Sequence, residues 1–118
     1  MRSVSRAQSL AHALRGLKTL LAGQANARIH LAVAAAVTAA GFLLRIRPIE
    51  WAVLALTIAV VLAAEALNTA IEAVVDLVSP EWHALARDAK DVAAAAVLIA
   101  SLGAVVVGLM VFGPHLWG

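Results

Sequence analysis

Neither cysteine nor tyrosine occurs in the 118-residue sequence. Without thiols there is no disulfide framework, no thiolate metal site and no cysteine nucleophile, so redox chemistry has little to stand on. Glycine is thinly spread, and no G-x-x-x-x-G-K-[ST] or G-x-G-x-x-G run occurs, which excludes P-loop and soluble-kinase templates. Charge is scarce at 14% of residues, and Glu50 is the only acid before Glu65. The nine Lys and Arg stand singly rather than in runs. A formal charge of +2 on that pattern reads as membrane-surface charge, with no nucleic-acid partner expected.

What fills the chain is apolar: 64% hydrophobic residues and a mean hydropathy of +0.95, against about half apolar in soluble domains. The apolar residues fall into blocks long enough to cross a bilayer, so the expected fold is an all-α integral membrane protein, one domain over residues 1–118. Residues 1–28 read as an amphipathic surface helix, because Leu10, Leu14, Leu17 and Leu21 share one stripe opposite Gln8, His12, Arg15 and Thr19. Three spans follow, over 29–44, 51–78 and 91–112. "RIRPIEW" (45–51) supplies a charged turn, and "SPEWHALARDAK" (79–90) returns the chain, with Pro80 suited to the first turn of a short new helix.

Seven Lys and Arg (Arg2, Arg6, Arg15, Lys18, Arg28, Arg87, Lys90) flank the spans on the side of the N-terminus, against Arg45 and Arg47 on the other. By the positive-inside rule the first side is cytoplasmic. Trp51 and Trp117 then mark the outer interface and Trp82 the inner one.

"EALNTAIEAVVD" (65–76) breaks the apolar pattern. Glu65, Asn68, Glu72 and Asp76 recur at i, i+3, i+7 and i+11, within an arc of roughly 80° on one helix face. Counted from Trp51 at about 1.5 Å per residue, Glu65 lies roughly 21 Å down, inside the inner leaflet, and Glu72 about 31 Å down, at its cytoplasmic edge. Counting back from Phe112 brings Lys90 and Asp91 to the depth of Glu72. Polar residues in a span sometimes serve only to join helices, and Asn68 or Thr69 alone fits that role. Two glutamates on one stripe do not, since a buried carboxylate is costly and marks a functional site. Carboxylates at a water-facing boundary hold Mg²⁺ with nucleotide phosphates, a lysine neutralises phosphate charge, and a deeper, partly desolvated carboxylate suits a general base on a lipid hydroxyl. An ion or proton pathway lined by the same stripe is the alternative of a different class. His30 reads as an interfacial residue and Arg28 as a surface anchor; His115 carries no functional expectation.

"EALNTAIEAVVDLVSPEWHALARDAKDVAAAAVLIA" (65–100), with "GLKTLLAGQANARIHLA" (16–32), resembles the prokaryotic diacylglycerol kinase family, which also includes undecaprenol kinases. The resemblance implies a homotrimer of three-span subunits in the bacterial cytoplasmic (inner) membrane, N-terminus cytoplasmic, using ATP and Mg²⁺ to phosphorylate diacylglycerol or, alternatively, undecaprenol. It implies Glu65 as the general base with Asn68 beside it, and Glu72 as a Mg²⁺ ligand. Lys90 and Asp91, with Asp76 and the turn holding Glu81, Trp82 and His83, would bind ATP. Gln24 stands where the family usually has a second metal-binding glutamate, offering a neutral oxygen in place of a charge.

Overall fold

The computed structural model describes residues 5–118, so Arg2 and the start of the expected surface helix lie outside the described residues. Four helices follow one another: α1 (Arg6–Gly23), α2 (Ala25–Leu44), α3 (Pro48–Val78) and α4 (Ala84–Trp117). No strand interrupts them among the described residues.

Helix α1 opens on a capping box, in which Gln8 N–H donates to Ser5 Oγ (3.1 Å) and Ser5 N–H to Gln8 Oε1 (2.9 Å). The surface helix was expected to run to residue 28, but it ends at Gly23. Gln24 alone is extended (φ −122°, ψ 111°), closing α1 and opening α2, so the first span begins at Ala25 rather than 29. Arg28 stabilises this break. Its Nη1 donates to the carbonyls of Leu21 and Ala22, both at 3.0 Å, satisfying groups that the end of α1 leaves without helical partners. It is thus a cap joining two helices, beyond the surface anchor its position suggested. The Leu10, Leu14 and Leu17 stripe stays exposed, the lipid-facing side of an interfacial helix.

Helix α2 stops at Arg45, which takes the left-handed conformation (φ 53°, ψ 54°) that releases the chain into a three-residue turn. Pro48 then starts α3 three residues earlier than expected; its fixed φ and missing N–H suit the first helical position. The turn is packed as well as capped. Trp51 lies against Phe42 (ring centroids 4.8 Å apart) and directly over Gly41, where an added Cβ would stand 2.6 Å from the indole. Only glycine admits that approach. Ile46, Leu54 and Val111 form the small core beneath it.

The return between α3 and α4 departs from expectation. Ser79–His83 carries no helix, and Pro80 lies in a bend instead of opening a short one. His83 takes over the start of α4: its Nδ1 accepts from Leu85 N–H at 3.0 Å. Nothing in the alanine-rich run beyond breaks the helix, so α4 continues unbroken from residue 84 to 117, past both limits expected for the third span. Pro114 is accommodated one turn from its end.

α3 and α4 form a long antiparallel hairpin, with α2 laid along α3. At about 1.5 Å per residue the 31 residues of α3 extend roughly 46 Å and the 34 of α4 roughly 51 Å. Both exceed a hydrocarbon core of about 30 Å, so their ends project into the headgroup regions. Three helices, α2 to α4, are long and apolar enough to span, and their outer surfaces expose Phe42, Leu43, Leu98 and Met110 as lipid-facing residues do.

Candidate functional site

The polar face of α3 descends toward the end of the hairpin where α4 begins, and each rung has a different neighbour. Highest is Glu65, only 2% exposed. The group that reaches its carboxylate comes from α2: His30 Nδ1 lies 3.8 Å from Glu65 Oε1. That is too long for a hydrogen bond and close enough for strong electrostatic interaction. His30 Nδ1 is itself buried without a hydrogen-bond partner.

One turn on, Asn68 Nδ2 donates to Glu72 Oε1 at 3.2 Å. The i, i+4 spacing makes the pair possible, and the charge of Glu72 fixes the amide's orientation, since the opposite one would set oxygen against carboxylate. Asn68 Oδ1 and Thr69 Oγ1 are left buried with no partner. The last rung, Asp76, pairs with Lys90 across the hairpin at 2.6 Å. Depth counting put Lys90 level with Glu72. The ion pair instead forms one turn lower, because α4 begins at Ala84 and packs against α3 from there.

Below that pair the hairpin encloses a polar cavity of about 280 Å³, bordered by Asp76, Glu81, Trp82, His83, Lys90 and Asp91. The six residues that the resemblance assigned to ATP therefore surround one space. Glu72 does not border it but follows one turn above Asp76. Arg87, which the sequence reading counted only as a flanking charge, lines the same cavity, with its guanidinium 5.9 Å from the Trp82 ring and paired with Asp88 at 3.2 Å. Trp82 is 76% exposed, free to face a ligand or the interface.

A second opening lies higher, among α2, α3 and α4. It is a groove of about 380 Å³ with walls of Val, Leu, Ile and Ala, and His30 is its only ionisable lining residue. Ser101 of α4 and Thr57 of α3 supply hydroxyls. Glu65, though adjacent to His30, does not line it.

The donor set near Glu72 suits magnesium, which takes oxygen ligands, keeps waters and is held by one or two carboxylates together with substrate phosphates. Glu72 supplies one carboxylate, and Asn68 Oδ1 is an oxygen with no other partner. No three His, Asp or Glu side chains are placed to hold a metal ion together among the described residues, so the phosphates would complete the coordination. Gln24 sits at the α1–α2 junction, half-buried, and no hydrogen bond joins it to Glu72 among the described residues.

His30 is the residue sequence reading underrated. The turn at Ile46 offered a signal: His30 lies sixteen residues before it and Glu65 nineteen after, so antiparallel packing brings them to similar depth. His115 was missed for the opposite reason, its partner being remote in sequence. Its Nε2 lies 3.1 and 3.2 Å from the two oxygens of Glu50, which also accepts from Arg47 N–H at 2.9 Å.

Three spanning helices, an interfacial helix and a carboxylate–lysine site at one end of the hairpin define a multi-pass membrane protein built for chemistry at the bilayer surface. The family model described as prokaryotic diacylglycerol kinase matches residues 11–112. An undecaprenol kinase of Bacillus subtilis is 40% identical over 109 residues, covering 92% of this chain and 89% of that protein. A diacylglycerol kinase of Synechocystis is 47% identical over the same share of this chain but only 62% of its own length. The diacylglycerol kinase of Escherichia coli K12 is 44% identical over 59 residues, half of this chain. The chain belongs to the prokaryotic diacylglycerol kinase family, and it is a lipid kinase.

Proposed function

We propose that this lipid kinase transfers the γ-phosphoryl group of ATP to the hydroxyl of diacylglycerol, giving phosphatidic acid and ADP. The observation that carries the reading is the polar cavity between Asp76 and Asp91, next to Glu72 and below the buried Glu65. The cavity's Lys90 and Arg87 meet phosphate charge, and Trp82 offers an aromatic face to the base. Glu72 and Asn68 would hold Mg²⁺, with Gln24 contributing a neutral oxygen; the ion, when bound, shields the phosphate charge that opposes attack. Glu65 is the carboxylate that drives removal of the hydroxyl proton, with Asn68 aiming the residue beneath it. As the lipid oxygen bonds to the γ-phosphorus, the bond to the β-phosphate oxygen breaks and ADP departs.

The apolar groove beside α2 receives the acceptor's chain, since it lies within the span and its wall is hydrocarbon apart from His30 and two hydroxyls. Undecaprenol is the second acceptor, favoured by the Bacillus relative that aligns over most of its length. The subunit assembles as a homotrimer in the cytoplasmic membrane, its N-terminus and nucleotide cavity on the cytoplasmic side, in keeping with seven flanking Lys and Arg against two. Radiolabelled ATP with mixed micelles holding each lipid alcohol separately tests the function. Label is expected in phosphatidic acid; transfer to undecaprenol alone would reassign the acceptor, and transfer to neither would refute the reading.

A further inference from the structure

We propose that Ser101 sets acceptor specificity: its hydroxyl donates a hydrogen bond to an ester carbonyl of the lipid alcohol, so a glycerol diester is favoured over an acceptor that carries a hydroxyl alone. The inference rests on the reading in which the acceptor's chain occupies the apolar groove and Glu65 takes the hydroxyl proton. It names the chemistry that the groove selects.

The register of the α3–α4 hairpin places Ser101. Asp76 pairs with Lys90 at one end and Glu50 with His115 at the other. Both helices are continuous and rise equally per residue, so a step up one is matched by a step along its antiparallel neighbour. Eleven residues back from Asp76 stands Glu65, and eleven residues on from Lys90 stands Ser101. The count from the other fastening, fifteen residues along α3 from Glu50 and fourteen back along α4 from His115, arrives at the same two. Ser101 therefore lies at the depth of Glu65.

The groove has its free polar groups at this one end. His30, in its wall, lies 3.8 Å from the Glu65 carboxylate and so shares the depth. From His30 and Ser101 the groove runs away from the polar cavity, and about 10 Å further along α2 and α4 its walls are Val37 and Gly108. The other hydroxyl in the wall, that of Thr57, is already engaged, donating to the Val53 carbonyl at 2.7 Å. No such bond holds Ser101 among the described residues, and its half-buried side chain stands in the groove wall.

A lipid alcohol in this groove lies with its chain along the apolar walls and its oxygens at the Glu65 end. A glycerol diester carries ester carbonyls a few bonds from its free hydroxyl, and a carbonyl accepts what Ser101 has to donate. A polyprenol carries the hydroxyl alone, which Glu65 engages. It leaves Ser101 unpaired against hydrocarbon, and a site built to hydrogen-bond a substrate group discriminates against the analogue that lacks it.

The test is labelled transfer in mixed micelles to a 1,2-diacylglycerol and to the matched 1,2-dialkylglycerol, which keeps the hydroxyl and the chains but has ether links in place of the esters. Undecaprenol is the third acceptor. Ser101→Ala is expected to lower kcat/KM for the diester by about 2- to 13-fold, the worth of one neutral hydrogen bond, and to leave the diether and KM for MgATP unchanged. Ser101→Thr keeps a hydroxyl and should keep the preference for the diester. Alanine suits a helix interior at least as well as serine, so the melting temperature of Ser101→Ala should not fall. An equal loss on diester and diether, or no loss on either, would overturn the inference, as would a wild type that treats the two alike. Wild-type transfer to undecaprenol alone would defeat the diacylglycerol reading and this inference with it, whereas a wild type active on diacylglycerol and matched by Ser101→Ala defeats this inference alone.

Discussion

Asn68→Ala is expected to separate activity from stability. In the folded protein Asn68 Nδ2 donates to Glu72 Oε1 at 3.2 Å, whereas Oδ1 is buried with no partner. A hydrogen bond to a charged group contributes about 1.5–3 kcal/mol, and an orphaned buried acceptor costs about 1–3 kcal/mol. Truncation removes a gain and a penalty of the same size, so the melting temperature of the purified protein should shift by no more than a few degrees. Catalysis has no such compensation. Glu72 loses the bond that fixes its carboxylate, and if that orientation serves Mg²⁺ and phosphate, about 1.5–3 kcal/mol corresponds to a fall of roughly 10- to 150-fold in kcat/KM for MgATP. The half-saturating Mg²⁺ concentration should rise with it. The assay is labelled transfer across a Mg²⁺ series, beside thermal unfolding in the same detergent. Full turnover at an unchanged Mg²⁺ requirement would refute the role of the pair, and so would a loss of activity no greater than the loss of folded protein.

Glu65→Gln should abolish transfer while nucleotide binding, read by equilibrium dialysis, persists, because Glu65 lies above the polar cavity proposed for ATP and does not line it; retained turnover removes Glu65 from the proton step. Gln24→Glu, restoring a charge at the α1–α2 junction, is expected to lower the half-saturating Mg²⁺ concentration, and an unchanged value would exclude a metal role for residue 24. Gly41→Val is a purely structural perturbation: a Cβ there falls 2.6 Å from the Trp51 ring, so overpacking should cost about 1–3 kcal/mol. A melting temperature equal to that of wild type would show that Trp51 rotates away freely.

The spans and the stripe on α3 could be read from sequence because both are consequences of periodicity and transfer energy within one helix. Glu65, Asn68, Glu72 and Asp76 share a face whatever surrounds them. Helix limits proved harder. The break at Gln24 depends on Arg28 folding back onto the carbonyls of Leu21 and Ala22, a contact that no propensity encodes. The start of α4 depends on His83 outcompeting Pro80 as the initiating residue. Pairings between helices were hardest. Depth counting placed Lys90 within one turn of its partner, Asp76, but a rise per residue gives height and not azimuth. It therefore could not tell that Glu65 would face His30 or that His115 would reach Glu50 across 65 positions. The family motif was legible from residues 65 to 100 alone, and the match over residues 11–112 extends it.

The α3–α4 hairpin is fastened at both ends, by Asp76 with Lys90 at one and by Glu50 with His115 at the other. The polar cavity lies at the loop end of the hairpin, against the Asp76–Lys90 fastening. The apolar groove has α2 as its third wall, and α2 carries neither fastening. The two openings thus differ in mechanical character, one rigid and one with a movable side. On the reading proposed above, a bulky membrane solute would enter and leave the groove laterally, past α2, apart from the polar cavity.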